Sequence, residues 1–71
     1  MKTLKVQHHN GDISYGSMVK KSPISIVLEL DSDKRNYVFS PDGFLIHCEG
    51  ESDLMMVARE DLPRLDEMMT G

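Results

Sequence analysis

The chain has 71 residues, of which 39% are apolar and 28% charged, a composition typical of an ordinary globular domain. This length suffices for one small hydrophobic core and excludes a second domain. The formal net charge of −4 argues against an anionic partner such as nucleic acid or a membrane surface.

The first predicted element is a hairpin. Apolar and polar residues alternate over 4–9, and this period of two predicts a half-buried strand. Asn10-Gly11 follows, a dipeptide that favours a two-residue turn. Such a turn would place Val6 beside Tyr15, with Ile13 on the same face, so that both residues of the returning strand would point into the core.

The middle of the chain predicts three further strands. Gly16 interrupts the alternation of the returning strand, which indicates a bulge or sharp bend. Residues 24–30 have apolar side chains at every second position and form the strongest predicted strand. Strand character returns at 37–39 and 44–48, on either side of the turn sequence at 40–43. A curved or barrel-like sheet follows from this pattern.

The last predicted elements are a strand and a helix. Residues 54–58 are apolar enough for a strand buried on both faces. Asp61 can cap a helix that has Pro63 in its first turn, over about 61–69. A helix of two turns is too short to be stable alone, so we expect it to dock on the sheet. Residues 1–71 are thus predicted to form a single domain.

One stretch resembles a known family. The sequence from Asn10 to Met18, followed by Ile24 to Leu30, resembles the early hairpin of Sm-like small barrels, the fold of RNA-binding rings. The resemblance covers about the first half of the chain. Together with the strand pattern it implies a mainly β fold: a five- or six-stranded antiparallel barrel or strongly bent meander, SH3-like or Sm-like, with a short C-terminal helix.

The histidines and the cysteine predict neither a metal site nor an enzyme. Neighbours on a strand point to opposite faces, so neither the His8-His9 pair nor the His47-Cys48 pair can converge on one ion. Cys48 lies next to a histidine, but no turn that could stabilise an oxyanion is recognisable nearby, and it is interpreted as core filler. We therefore expect no catalytic residues, no cofactor and no metal.

The function that remains is binding to another protein, as a regulatory or accessory module. Val27, Val38 and Leu45 give the second face of the sheet more apolar character than a solvated face needs. Either that face or an edge strand would meet the partner, which could be another protein or a second copy of the chain. Met68 and Met69 could equally form a docking face of the helix or pack on the sheet.

The alternative function is RNA binding by an Sm-like protein. Four basic residues lie in successive predicted loops and could gather on one rim: Lys20, Lys21, Lys34 and Arg35. Tyr37, with Phe39 and Phe44, could stack on bases. Packing in the core of the sheet is the competing interpretation of these aromatic residues.

The sequence also bears on location. It has no apolar run near the roughly 20 residues that span a bilayer, and its opening residues have no hydrophobic signal-peptide core. Cys48 cannot form an internal disulfide, because it is the single cysteine. We expect an acidic protein of the cytoplasm.

Overall fold

The computed structural model describes residues 3–50 and 52–70 as a nearly closed barrel of six antiparallel strands with a short C-terminal helix. The order of the strands across the sheet is β5-β4-β3-β2-β1-β6. The elements are β1 (Thr3–His8), β2 (Ile13–Ser22), β3 (Ser25–Leu30), β4 (Asn36–Phe39), β5 (Leu45–Cys48), β6 (Met55–Val57), a 3-10 turn (Arg59–Asp61) and α1 (Leu62–Thr70). The mainly β fold with a helical end is confirmed.

The core follows from the alternation of apolar residues. Leu4 and Val6 on β1 point inward, as do the three apolar residues at even positions of β3. Ile24, which continues the β3 pattern in the sequence, is 77% exposed because it precedes the strand and lies in the turn after β2. The buried apolar cluster consists of Leu4, Val6, Ile26, Leu28, Leu30, Tyr37, Phe39, Met55, Val57, Leu65 and Met68.

The first hairpin forms where the sequence predicts it, but its loop has three residues and not two. Gly11 N–H donates to the carbonyl of His8, and His8 N–H donates to the carbonyl of Asp12, both at 2.9 Å. Gly11 has a φ of 97°, a conformation that glycine adopts without steric cost. The extra residue shifts the register by one, so that Ile13 lies opposite Gln7.

This shift exchanges the two faces of β2. Ile13 and Tyr15, predicted to point inward, are 43% and 48% exposed, whereas Ser14 and Gly16 are buried. The irregularity of β2 also lies further along than predicted, between Met18 and Lys20.

The β4–β5 hairpin repeats the geometry of the first hairpin. Ser40 N–H donates to Phe44 O at 2.8 Å, and Gly43 N–H donates to Ser40 O at 2.9 Å. A second irregularity follows, because Val38 pairs with His47 whereas Phe39 pairs with Leu45. Ile46 is the extra residue of this bulge.

The chain ends by packing a helix on the barrel. The last strand is shorter than the predicted 54–58, and α1 begins and ends one residue later than the predicted 61–69. The carboxylate of Asp61 accepts a hydrogen bond from the backbone N–H of Lys5 at 2.8 Å, which ties the start of α1 to β1. Among the described residues, no helix has the length and apolar character needed to cross a bilayer.

Candidate functional site

The candidate site is the place where the barrel fails to close. A bridge between Phe44 and Met56 joins the two ends of the sheet, and Gly43 O accepts a hydrogen bond from Val57 N–H at 2.7 Å. Beyond this bridge β5 and β6 do not pair with each other. We call the gap between them the seam.

The seam contains a cleft of about 340 Å³ with mainly apolar walls. Two of its apolar side chains are more than half exposed, Phe44 at 55% and Leu54 at 72%. Large apolar side chains that line a concave surface are typical of binding sites, whereas isolated exposed ones are common anywhere. The lining residues are Gln7, His8, His9, Phe44, Leu45, Leu54, Met55 and Met56.

The edge of β5 borders this cleft. In the described part of the chain β5 pairs with β4 on one side and has no strand along its other side. Such an edge presents backbone donors and acceptors to an incoming strand. The seam therefore combines a hydrogen-bonding edge with an apolar cleft.

A chain of polar contacts begins at His8, which lines the cleft. His8 Nε2 lies 2.7 Å from Ser14 Oγ, which donates to Ser32 Oγ at 3.1 Å, and His8 Nδ1 lies 3.6 Å from Asp53 Oδ1. The order of groups is that of a Ser-His-Asp relay. However, 3.6 Å is too long for a hydrogen bond, and Ser14 is only 3% exposed.

These features favour a structural role for the relay, which satisfies a buried hydroxyl at the barrel end. Over residues 3–50 and 52–70 no three His, Cys, Asp or Glu side chains are placed to hold a metal ion.

The predicted outer face is only partly formed. Val27 and Val38 pair across β3 and β4 and are half-buried. Leu45, predicted beside them, lies opposite the buried Phe39 and packs against the core. The bulge in β5 causes this difference, and the most exposed apolar side chain of β5 is Ile46, at 57% exposure.

The two methionines of α1 have different environments. Met68 is 5% exposed and belongs to the core, so it cannot serve as a docking residue. Met69 is half-buried and lines a second depression together with Lys21, Ser22 and Pro23. Packing of helix on sheet thus accounts for Met68.

The basic residues predicted to gather on one rim lie at opposite ends of β3. Lys20 and Lys21 belong to β2 near the β2–β3 turn, where Lys21 Nζ donates to Met68 O at 2.9 Å. Lys34 and Arg35 lie in the β3–β4 turn. Successive turns of an antiparallel meander alternate between the two ends of the strands, which separates the pairs.

Tyr37 is itself buried and is not available for stacking. It is 2% exposed, its hydroxyl donates to Asp33, and the guanidinium of Arg35 lies 5.5 Å from its ring centroid. Burial and the bond to Asp33 raise the pKa of Tyr37. Burial opposes ionisation of Asp33, but the hydrogen bonds from Tyr37 and from Arg35 N–H outweigh it and lower the pKa of Asp33.

Sequence reasoning did not bring Phe44 and Leu54 together in one site, and it missed Ile46. Phe44 was a candidate for base stacking or core packing, and Leu54 was the first residue of a strand predicted to be buried on both faces. A usable signal was their position beside turn residues, since side chains at strand ends escape the alternation of the strand interior. No protein-family model, curated protein or solved structure matches this chain.

Proposed function

We propose that the protein is a small protein-binding module, of regulatory or accessory type, that takes up an extended segment of a partner at the seam. The observation that carries this proposal is the coincidence of an unpaired strand edge with an apolar cleft. Addition of a strand to an exposed sheet edge is a common mode of peptide recognition.

The geometry of β5 suggests which side chains of such a segment the protein would contact. A strand added to the edge of β5 alternates its side chains between two sides of the sheet. Side chains on one side would enter the cleft beside Leu45 and Leu54. Those on the other side would lie beside Ile46.

The size of the cleft fits one or two apolar side chains. Its volume of about 340 Å³ is at the lower end of the range for small-molecule pockets, about 300–1,000 Å³. Burial of one Leu, Ile or Phe side chain contributes about 1.5–3 kcal/mol, against an association cost of at least about 4 kcal/mol. Since two such side chains contribute at most about 6 kcal/mol, binding also depends on backbone hydrogen bonds to the edge of β5, and we expect a weak, transient interaction.

Selection from a random peptide library against the intact chain tests this function. We expect selected peptides with apolar residues at every second position, which perturb the backbone amide NMR signals of β5 and β6. Phe44→Ala and Leu54→Ala should each weaken binding about 10-fold, because each removes an accessible wall of the cleft.

Ile24→Ala is the matched control, since Ile24 is 77% exposed and lies in the β2–β3 turn and not at the seam. Its affinity should stay within about 2-fold of the unmodified chain. Peptides whose signals map to the β2–β3 turn, or a library without enrichment, would contradict the proposal.

A further inference from the structure

The seam is built from segments without lysine or arginine. All eight lysine and arginine residues lie outside residues 6–12 and 36–58. The lining residues of the cleft fall entirely within these two segments. The same segments hold five acidic residues, Asp12, Asp42, Glu49, Glu51 and Asp53, and all three histidines. At neutral pH the charge of this region is therefore negative.

The fold places acidic groups at both ends of the seam. Asp42 lies in the β4–β5 turn, beside the bridge between Phe44 and Met56 where the barrel closes. Glu49 and Asp53 lie at the opposite end of the seam. Glu49 follows β5, which runs away from the bridge, and Asp53 lies in the segment through which the chain returns toward the bridge before β6. Asp42, Glu49 and Asp53 are exposed residues.

Two cations of the neighbouring segments, Arg35 and Lys5, contact acidic residues. Arg35 reaches the far end of β5, where its guanidinium donates to the carbonyl of Glu49, but it also lies 3.9 Å from the carboxylate of Asp33. Lys5 Nζ pairs with Glu60 at 3.1 Å, and this pair raises the pKa of Lys5. Neither cation lines the cleft.

We propose that the partner segment is cationic, with lysine or arginine residues on both sides of an apolar centre. This inference rests on the proposed function of the seam and names the chemistry of its partner. The apolar centre fills the cleft, and the flanking cations lie near Asp42 at one end and near Glu49 and Asp53 at the other. Exposed ion pairs add little each, so the charges select among apolar peptides and speed association more than they create affinity.

A second copy of the chain is a poorer occupant. Each copy has a net charge of −4, so docking a copy on an acidic seam brings like charges together. RNA is disfavoured at the seam for the same reason. Binding of RNA is tested as a competing outcome in the peptide experiment.

Three synthetic peptides with one apolar centre and flanks of lysine, serine or glutamate test the proposal against the intact chain. Fluorescence anisotropy should show the lysine-flanked peptide binding about 10-fold tighter than the serine-flanked one, and the glutamate-flanked one weakest. The preference should shrink between about 50 and 300 mM NaCl. A single-stranded RNA oligonucleotide should not displace the lysine-flanked peptide.

The matched variants are Asp42→Asn/Glu49→Gln at the seam and Asp66→Asn/Glu67→Gln on the exposed side of α1, which change the net charge equally. The first should reduce the preference for lysine flanks to about 3-fold, and the second should leave it near 10-fold. Three results would contradict a cationic partner: equal affinities for the three peptides, an equal loss of the lysine preference in both variants, or displacement of the peptide by RNA. The proposal that the seam binds peptides would still stand. Absence of binding by all three peptides would overturn the proposed function itself.

Discussion

At the scale of single residues, Gly16 is required by close packing. It does not lie in a turn, and its backbone needs no special conformation, but the space beside it is too small for a side chain. A methyl group at Gly16 would lie 2.9 Å from Cβ of Leu28 and 3.2 Å from Cδ2 of Leu30. Cβ of Leu28 is fixed by the backbone of β3, so it cannot move away as the end of a flexible side chain could. The inside of the barrel has no room there.

We therefore expect Gly16→Ala to lower the free energy of unfolding by about 1–3 kcal/mol, as overpacking of a core does. Urea denaturation followed by circular dichroism measures this change. Gly11→Ala is a useful comparison, because a methyl group at Gly11 meets nothing within 4 Å and would be penalised only by the φ of 97°. A stability for Gly16→Ala equal to that of the unmodified chain would contradict the packing of β2 on β3.

A second residue-scale prediction concerns Tyr37 and the acid stability of the fold. Tyr37→Phe removes a hydrogen bond to the carboxylate of Asp33, so the pKa of Asp33 should rise toward its ordinary value. A lowered pKa in the folded state contributes stability above the pKa of the unfolded state, and this contribution is lost as the pH falls through the folded-state pKa. NMR titration of the Asp33 carboxyl carbon should show the rise.

In the same variant, the difference in stability from the unmodified chain should be present at neutral pH. It should shrink as the pH falls below the ordinary pKa of an aspartate and through the lowered pKa of Asp33. A net loss of about 0.5–1.5 kcal/mol at neutral pH is expected for one hydrogen bond. An unchanged titration of Asp33 would show that the bond from Tyr37 is absent in solution.

At the scale of elements, the bond between Asp61 and Lys5 joins the start of α1 to β1. The Asp61 side chain is 17% exposed, so its loss would leave the N–H of Lys5 without its carboxylate acceptor in a partly buried place. Asp61→Ala should lower the free energy of unfolding by about 1–3 kcal/mol. Asp61→Asn keeps an acceptor oxygen and should cost less. Thermal unfolding of both variants measures the difference, and equal losses would point to charge and not to this bond.

The elements also show what local sequence can and cannot predict. All six strands and the helix were predicted near their observed positions, because alternation and turn residues are local signals. The register of β2 was not predicted correctly, because Asn10-Gly11 is compatible with hairpin loops of two or of three residues. A change of one residue in loop length turns every side chain of the strand to the other face. The exposure of Tyr15 and the burial of Ser14 both follow from that choice.

The candidate site was harder to predict, because it depends on contacts between distant segments. Val27 and Val38 were placed correctly on the outer face, but the bulge at Ile46 turned Leu45 inward. The seam joins residues near the start of the chain to residues near its end, and no local pattern shows that β5 and β6 would fail to pair. The sequence predicts binding at an edge strand or at the outer face, and it does not identify β5 as an edge.

At the scale of the whole molecule, the bridge between Phe44 and Met56 is the place where we expect the barrel to open first. Each interior strand pairs along both sides, whereas β5 pairs with β4 alone among the residues that the structure describes. The seam is held by the bridge and by the bond from Val57 N–H to Gly43 O. Local opening begins where the fewest bonds must break. Backbone amide protons of β5 should therefore exchange with deuterium sooner than those of β3, and a ligand bound along β5 should slow that exchange.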